Sequence, residues 1–214
     1  MSLAQRLDAG LAALEPAPEL PDGAREQLIQ LVELLTKWNQ AYNLTAVREP
    51  EAMVERHILD SLAVLPWLDA DQPTLDIGTG AGLPGLVLAI ARPDQAFTLL
   101  DANSKKTRFV KQAVLELKLA RVEVVQARVE QYRSPFPRVI SRAFSALPAM
   151  IESAGHLVAP GGRLLAMKSA PDEAERAGIP AGWHADFQAL SVPGIDEPRQ
   201  LVILHRAHEQ GEPT

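Results

Sequence analysis

Apolar positions follow two different periods along the chain. Up to about residue 72 they recur at helical spacing. Leu3, Leu7, Leu11 and Leu14 predict a helix over 1–14, closed by the proline-rich breaker EPAPELPDG at 15–23. Leu28, Leu31, Val32, Leu35 and Trp38 form the stripe of a second helix over 24–42. Glu49-Pro50 opens a third, with Val54, His57, Ile58, Leu62 and Leu65 as its stripe and Pro66 near its end. Proline costs nothing at the first helical position, because its missing N–H would have no partner there.

From Pro73 the pattern changes. Strand-like runs at TLDI (74–77), FTLLD (97–101), VEVVQA (122–127), RVISRA (138–143), RLLAMK (163–168), 184–191 and QLVILHRA (200–207) alternate with helical runs at 82–92, 104–119 and 146–157. Pro160-Gly161-Gly162 marks a turn before the fifth strand. This alternation predicts an α/β fold: a mostly parallel, seven-stranded, doubly wound sheet with helices on both faces. No helical pattern separates the last two strands, so a terminal hairpin supplying one antiparallel strand is expected. The chain divides into an N-terminal helical extension packed on the core (1–72), the α/β domain (73–208) and a frayed polar tail (209–214).

Composition narrows the class. The 214 residues suffice for one domain with an appended helical piece, and 47% hydrophobic with 22% charged residues is ordinary for a globular protein. The absence of cysteine excludes disulfides, thiolate metal sites and cysteine nucleophiles. No signal peptide is read at the N-terminus, and apolar runs such as that from Leu83 to Ala91 fall short of the roughly 20 residues of a membrane span. A cytoplasmic protein without membrane association is expected.

The net charge of −6 argues against a nucleic-acid partner until its distribution is read. Residues 1–36 carry two basic and six acidic side chains, and residues 170–214 carry three and eight. Residues 104–142 carry ten basic side chains against three acidic ones. A local excess of that size can steer a polyanion, although a solvated helix face with basic turns would read the same way.

The candidate chemistry lies at TLDIGTGAGLPG, residues 74–85, between the first strand and its helix. Gly80, Gly82 and Gly85 satisfy the dinucleotide fingerprint G-x-G-x-x-G. Asp76, Gly78, Gly80 and Gly82 satisfy D-x-G-x-G-x-G, the loop of methyltransferases that use S-adenosylmethionine. Glycine lets the backbone turn sharply and approach a ligand in either case. Two features separate the ligands. A pyrophosphate needs free N–H groups at a helix N-terminus, and Leu83-Pro84 interrupts the loop there. A carboxylate at Asp76 suits a sulfonium and an ammonium but not a diphosphate. Asp101, ending the second strand, is expected to hold ribose hydroxyls and fits both ligands. S-adenosylmethionine is therefore preferred over NAD or a purely structural turn. Phosphate-loop and serine-hydrolase motifs are missing. His205-x-x-His208 lacks an evident third ligand and reads as a solvated strand end, so no metal site is expected.

The residues also carry a family resemblance. KWNQAYNLT (37–45), RHILDS (56–61), LDIGTGAGLPG (75–85), TLLD (98–101), ARVE (127–130), SRA (141–143) and LLAMK (164–168) together resemble the RsmG (GidB) family, bacterial methyltransferases of guanosine N7 in small-subunit ribosomal RNA. The resemblance implies a Rossmann-like class I fold and transfer of a methyl group from S-adenosylmethionine to 16S ribosomal RNA, at guanosine 527 of the 530 loop. It implies that Gly78 and Leu83 belong to the donor loop and that Asp101 binds ribose. It further implies that Val129 and Glu130 read the adenine edge, and that Arg142 and Lys168 face the mouth where donor and RNA meet. The chain departs from the family pattern at Pro137-Arg138, where an acidic residue commonly precedes the fourth strand, and at Ser169, where glycine commonly follows the lysine.

Guanine N7 has an in-plane lone pair and no proton, so its attack on a sulfonium methyl needs no general base. Arg142 and Lys168 are accordingly expected to position substrate, with Arg142 also near the donor. The partner is 16S ribosomal RNA, within the small subunit or an assembly intermediate, and a monomer is expected. An NAD-dependent oxidoreductase, a non-catalytic RNA-binding module and a small-molecule methyltransferase are the competing readings. Around the site, Trp38 and Tyr42 are expected in the core and Asn39 and Asn43 as helix caps. His57 is expected as a packed histidine bonded to a neighbour such as Asp60.

Overall fold

A computed structural model of the chain describes residues 1–68, 71–142 and 145–206. The 209–214 tail, His208 and Ala143 lie outside the described residues. The N-terminal helices are α1 (Leu3–Ala13) and α2 (Ala24–Tyr42), followed by α3 (Pro50–Met53), a π-helical segment (Val54–Leu59) and α4 (Asp60–Leu62). Ser2 and Gln5 form a reciprocal capping box at the start of α1. Asn43 ends α2 in the left-handed conformation, its N–H donating to the Asn39 carbonyl. The third helix is thus not the regular α-helix that its apolar spacing predicts. The π-helical turn inserts where Arg56, His57 and Asp60 must be presented together.

The sheet contains β1 (Thr74–Ile77), β2 (Phe97–Asp101), β3 (Val122–Gln126), β4 (Phe136–Arg142), β5 (Val158–Ser169), β6 (Trp183–Leu190) and β7 (Arg199–Arg206) in the order β3-β2-β1-β4-β5-β7-β6. All neighbours are parallel up to β5, and β7 runs antiparallel to both β5 and β6. The expected hairpin therefore exists, with its second strand inserted beside β5. β1 is buried along its whole length, as a central parallel strand must be when both faces are covered.

Helices α5 (Gly85–Ala91), α6 (Ser104–Glu116), α7 (Leu147–Ala154) and the short α8 (Glu173–Ala177) complete the fold. One buried cluster joins α1, α2 and the helices through residue 62 to α5 and α6. A second cluster packs α7 on the opposite face. Pro160, Gly161 and Gly162 lie within β5 rather than before it, at an irregularity in its pairing with β4. Helix α5 starts three residues later than the periodicity predicts, because residues 79–83 form hydrogen-bonded turns and Pro84 stands at the N-cap. Helix α6 ends at Glu116, and Lys118 adopts positive φ just beyond it.

The basic run 104–142 is not one face. Lys105, Arg108 and Lys111 are exposed on α6, whereas Arg138 is fully buried in β4 with Nη1 3.2 Å from Thr74 Oγ1. Trp38 is half-buried, stacked on Tyr42 at 5.3 Å and edge-on to Phe109 at 5.6 Å. No helix among the described residues is long and apolar enough to cross a membrane.

Candidate donor groove and cationic mouth

Strand order reverses between β1 and β4, the point where open α/β sheets place their ligands. Two depressions lie at the strand carboxyl ends on either side of it. One, of about 360 Å³, is lined by Gly78, Asp101, Ala102, Lys106, Ala127, Arg128, Val129 and Glu130. The other, of about 460 Å³, is lined by Val47, Arg56, His57, Arg142, Ser145, Met167, Lys168, Ser169 and Arg199.

The loop beside the first depression is held from within. Gly78, Gly80 and Gly82 have φ of 61°, 60° and 80°, which L side chains rarely adopt. The Gly80 amide donates to Asp101 Oδ2 at 2.9 Å and the Asn103 amide to Asp101 Oδ1 at 2.7 Å. The Thr79 amide donates to the Leu100 carbonyl, the Gly82 and Leu83 amides to the Thr79 carbonyl, and the Leu86 amide to the Gly82 carbonyl. The Gly85 amide and the Thr79 hydroxyl donate to Asp76 Oδ2 at 2.9 and 2.6 Å. Proline at 84 has no N–H to give. The amides of Thr79, Gly80, Gly82, Leu83 and Gly85 are thus engaged within the fold, leaving few that a dinucleotide's pyrophosphate could use.

Asp76 itself has no exposed surface. The sequence reading turns its carboxylate toward the ligand, whereas the structure turns one oxygen into the loop and buries the other without a hydrogen-bond partner among the described residues. Burial pushes its carboxyl up to about 7, against the opposing effects of Thr79, Gly85 and Arg142. Leu83 is likewise buried and packs under the loop. Asp101, 8% exposed, joins Gly78 at the groove wall. Val129 opens a 3₁₀ turn (Val129–Gln131), and the adjacent Glu130 is exposed at the far end of the groove. Gly78, Asp101, Val129 and Glu130 therefore converge, Gly80 is tied to them through Asp101, and Asp76, Gly82 and Leu83 stand behind them as support.

The second depression gathers residues far apart in sequence. Arg142, at the end of β4, donates from Nη1 to the Arg56 carbonyl at 2.7 Å and to Asp60 Oδ2 at 3.1 Å. Lys168, near the end of β5, donates to the Ser145 carbonyl at 2.7 Å and pairs with Glu175 at 2.5 Å. Glu175 also accepts the Leu147 amide at the start of α7. Arg199 Nε lies 3.2 Å from Asp60 Oδ1, and Arg56 pairs with Glu197 at 3.0 Å.

His57 is packed, as expected, but its partner is Thr45, with Nε2 2.9 Å from the hydroxyl oxygen, because Asp60 is occupied by the two arginines. Its Nδ1 is 3.5 Å from Arg142 Nη2. Burial, then the Arg142 charge, lowers its pKa to about 4, so the ring is neutral. Asn39 supports this wall: Oδ1 accepts the Thr45 amide at 2.9 Å and Nδ2 donates to the Val47 carbonyl at 3.2 Å.

Beyond Asp60 as a partner for His57, the sequence pattern assigns no role to Arg56, Asp60 or Arg199. Arg56 and Asp60 are four apart on a helix, a spacing that signals a shared face. The apolar run of the last strand begins at Gln200, one residue after Arg199, and nothing in its pattern signals that β7 pairs with β5. That placement sets Arg199 opposite Ser169. His205, at the other end of β7, lies 3.9 Å from Asp186 and stacks near His184, and no cluster of metal-ligating side chains occurs among the described residues.

Sheet order, glycine loop and the acidic end of β2 together define a class I S-adenosylmethionine-dependent methyltransferase fold. Solved structures agree on the fold. TrmN from Thermus thermophilus gives a TM-score of 0.58 at 18% identity, over 72% of this chain and 53% of that one. The S-adenosylmethionine-dependent methyltransferase SibL gives 0.58 at 18%, over 84% and 69%. The chain belongs to the GidB family, whose model, rRNA small subunit methyltransferase G, matches residues 24–203. It is 49% identical to ribosomal RNA small subunit methyltransferase G of Marinobacter nauticus, covering 94% of each chain. It is 47% identical to the protein of that name from Ectopseudomonas mendocina, over 97% of this chain and all of the other.

Proposed function

We propose that the protein transfers the methyl group of S-adenosylmethionine to N7 of a guanosine in 16S ribosomal RNA, guanosine 527 being the position its family resemblance implies. The observation that carries this reading is the adjacency of two unlike depressions on one sheet edge. One is lined by the carboxylates of Asp101 and Glu130 with Lys106 and Arg128 beside them, and the other by four cationic side chains and no carboxylate among the described residues.

The residues fit the donor. Asp101 presents its carboxylate at the end of β2 for ribose hydroxyls, and Val129 and Glu130 offer an N–H and a carboxylate for an adenine edge. The loop has few amides left for a diphosphate. S-adenosylmethionine supplies an electrophilic methyl on a cationic sulfur. The protein's task is to aim an N7 lone pair along that bond and exclude water, since alignment at near-attack distance contributes most of what such a transfer needs. No proton has to leave. The neutral His57, engaged at both ring nitrogens, is a wall rather than a base. Arg142 and Lys168 hold the RNA. Arg142 also serves the donor, since it ends β4, the strand paired with β1.

Incubation of the protein with radiolabelled S-adenosylmethionine and small subunits from cells lacking it, followed by nucleotide-resolution mapping, tests the proposal. One labelled guanosine N7 in 16S RNA is the expected outcome. Label in protein, in a small molecule or at an exocyclic nitrogen would overturn it.

A further inference from the structure

The cationic mouth contains an imbalance. Asp60 is 2% exposed, and each of its carboxylate oxygens faces one guanidinium, Arg142 on Oδ2 and Arg199 on Oδ1. These arginines come from β4 and β7, which are not neighbours, since β5 runs between them. Their side chains are only 18% and 26% exposed. Lys168 and Arg56 each have their own carboxylate, Glu175 and Glu197. Asp60 contacts two cations, and Glu197, paired with Arg56, also feels the charge of Arg199, so three carboxylates face four cations. One positive charge in a partly dehydrated pocket is left without a hydrogen-bonded counter-ion, an arrangement that costs solvation unless an anion completes it. Asp76 feels Arg142 but is buried in the donor loop and does not bond to it. No nitrogen of Arg199 makes a hydrogen bond among the described residues, the buried Nε meeting Asp60 Oδ1 only as an ion pair at 3.2 Å, and the pocket of about 460 Å³ that Arg199 lines opens beside the donor groove.

We propose that Asp60 is the positioning residue of this mouth: its buried carboxylate fixes Arg142 and Arg199 so that together they receive one phosphodiester of the RNA strand next to the target guanosine. A phosphodiester carries the single negative charge that the cluster lacks, and paired guanidinium groups suit its two free oxygens. The inference rests on the RNA methyl-transfer reading. Positioning and simple charge balance predict opposite signs. Removing the Asp60 charge makes the mouth more positive, so electrostatics alone would tighten RNA binding. Loss of orientation weakens it.

The test uses the full-length protein, S-adenosylmethionine and unmethylated small subunits. For Asp60→Asn the expected result is a KM for the subunit raised about tenfold, a proportionally smaller change in kcat, and a calorimetric donor Kd within about twofold of wild type. Arg199→Ala should raise KM similarly, and the double variant should be no worse than about the weaker single variant. Arg199→Ala should also reduce the slope of log affinity against log salt by about one. An unchanged or lowered KM for Asp60→Asn, additive losses in the double variant, or an unaltered salt slope would overturn the proposal. If Asp60→Asn does not fold, Arg199→Ala decides by the slope alone. Wild-type protein that neither binds nor methylates the subunit would instead sink the RNA reading itself.

Discussion

The Gly85 amide donates to Asp76 Oδ2 at 2.9 Å, and the two residues leave no room for a methyl group between them. A Cβ on Gly85 would stand 2.7 Å from that oxygen and 2.1 Å from Leu99 Cδ2. Glycine is required here by contact, since its φ is not positive. Gly85→Ala is predicted to lower stability by about 1–3 kcal/mol, the usual range for overpacking. It should also weaken S-adenosylmethionine binding, because the donor loop hangs on the same carboxylate. Urea denaturation and calorimetry check both effects.

Asp101 accepts amides from two directions, Gly80 and Asn103. An Asn side chain has one acceptor oxygen and would point an NH₂ at the other amide. Asp101→Asn is therefore predicted to raise the donor Kd by roughly 10–100-fold, matching the loss of a hydrogen bond to a charged group. Binding measured by equilibrium dialysis would contradict this if the variant stayed within a factor of two.

The two buried titratable groups pull stability in opposite directions with pH. Asp76 is raised from 3.8 to about 7, so the native state holds a proton that the unfolded chain has lost, and its contribution is lost as pH rises through that window. His57 is lowered from 6.5 to about 4, so its contribution is lost as pH falls through that window. The slopes oppose each other between about 4 and 6.5. Asp76→Asn, whose amide oxygen can still accept from Thr79 and Gly85, should unmask a rise in stability with pH across this range. His57→Gln should unmask a fall. Each effect is of order 3 kcal/mol at most. Denaturation curves at pH 4.5, 5.5 and 6.5, compared with wild type, test the signs.

Asn39 satisfies the Thr45 amide and the Val47 carbonyl at once. Asn39→Ala should cost roughly 2–4 kcal/mol, since two backbone groups lose their partner. It should also loosen the wall that keeps His57 against Thr45. A thermal shift of only a degree or so would show that water replaces the side chain without penalty.

Much of the fold was legible because its signals are periodic. The second helix matched its apolar stripe residue for residue, over Ala24–Tyr42, and the first two strands matched their β-branched and leucine runs. The short α8 was invisible because none of its residues is buried, leaving no stripe to read. The π-helical turn was invisible for a different reason: an inserted residue shifts a helical pattern without breaking it. In the site, the glycine loop and Asp101 announced themselves by spacing along one βα unit. Asp76 was legible as a motif position but not as a buried group. The charges of the mouth come from the third helix, β4, β5 and β7, and only tertiary pairing brings them to one carboxylate. Arg138 shows the converse, a basic residue counted toward a surface run and found in the core.

Because β7 runs against its neighbours, the side chain at its first position, Arg199, arrives at the edge where the parallel strands finish. That edge is therefore closed by segments as distant in sequence as Arg56 and Arg199, and any shift in the register of β7 against β5 would carry one of the mouth's four cations away from Asp60.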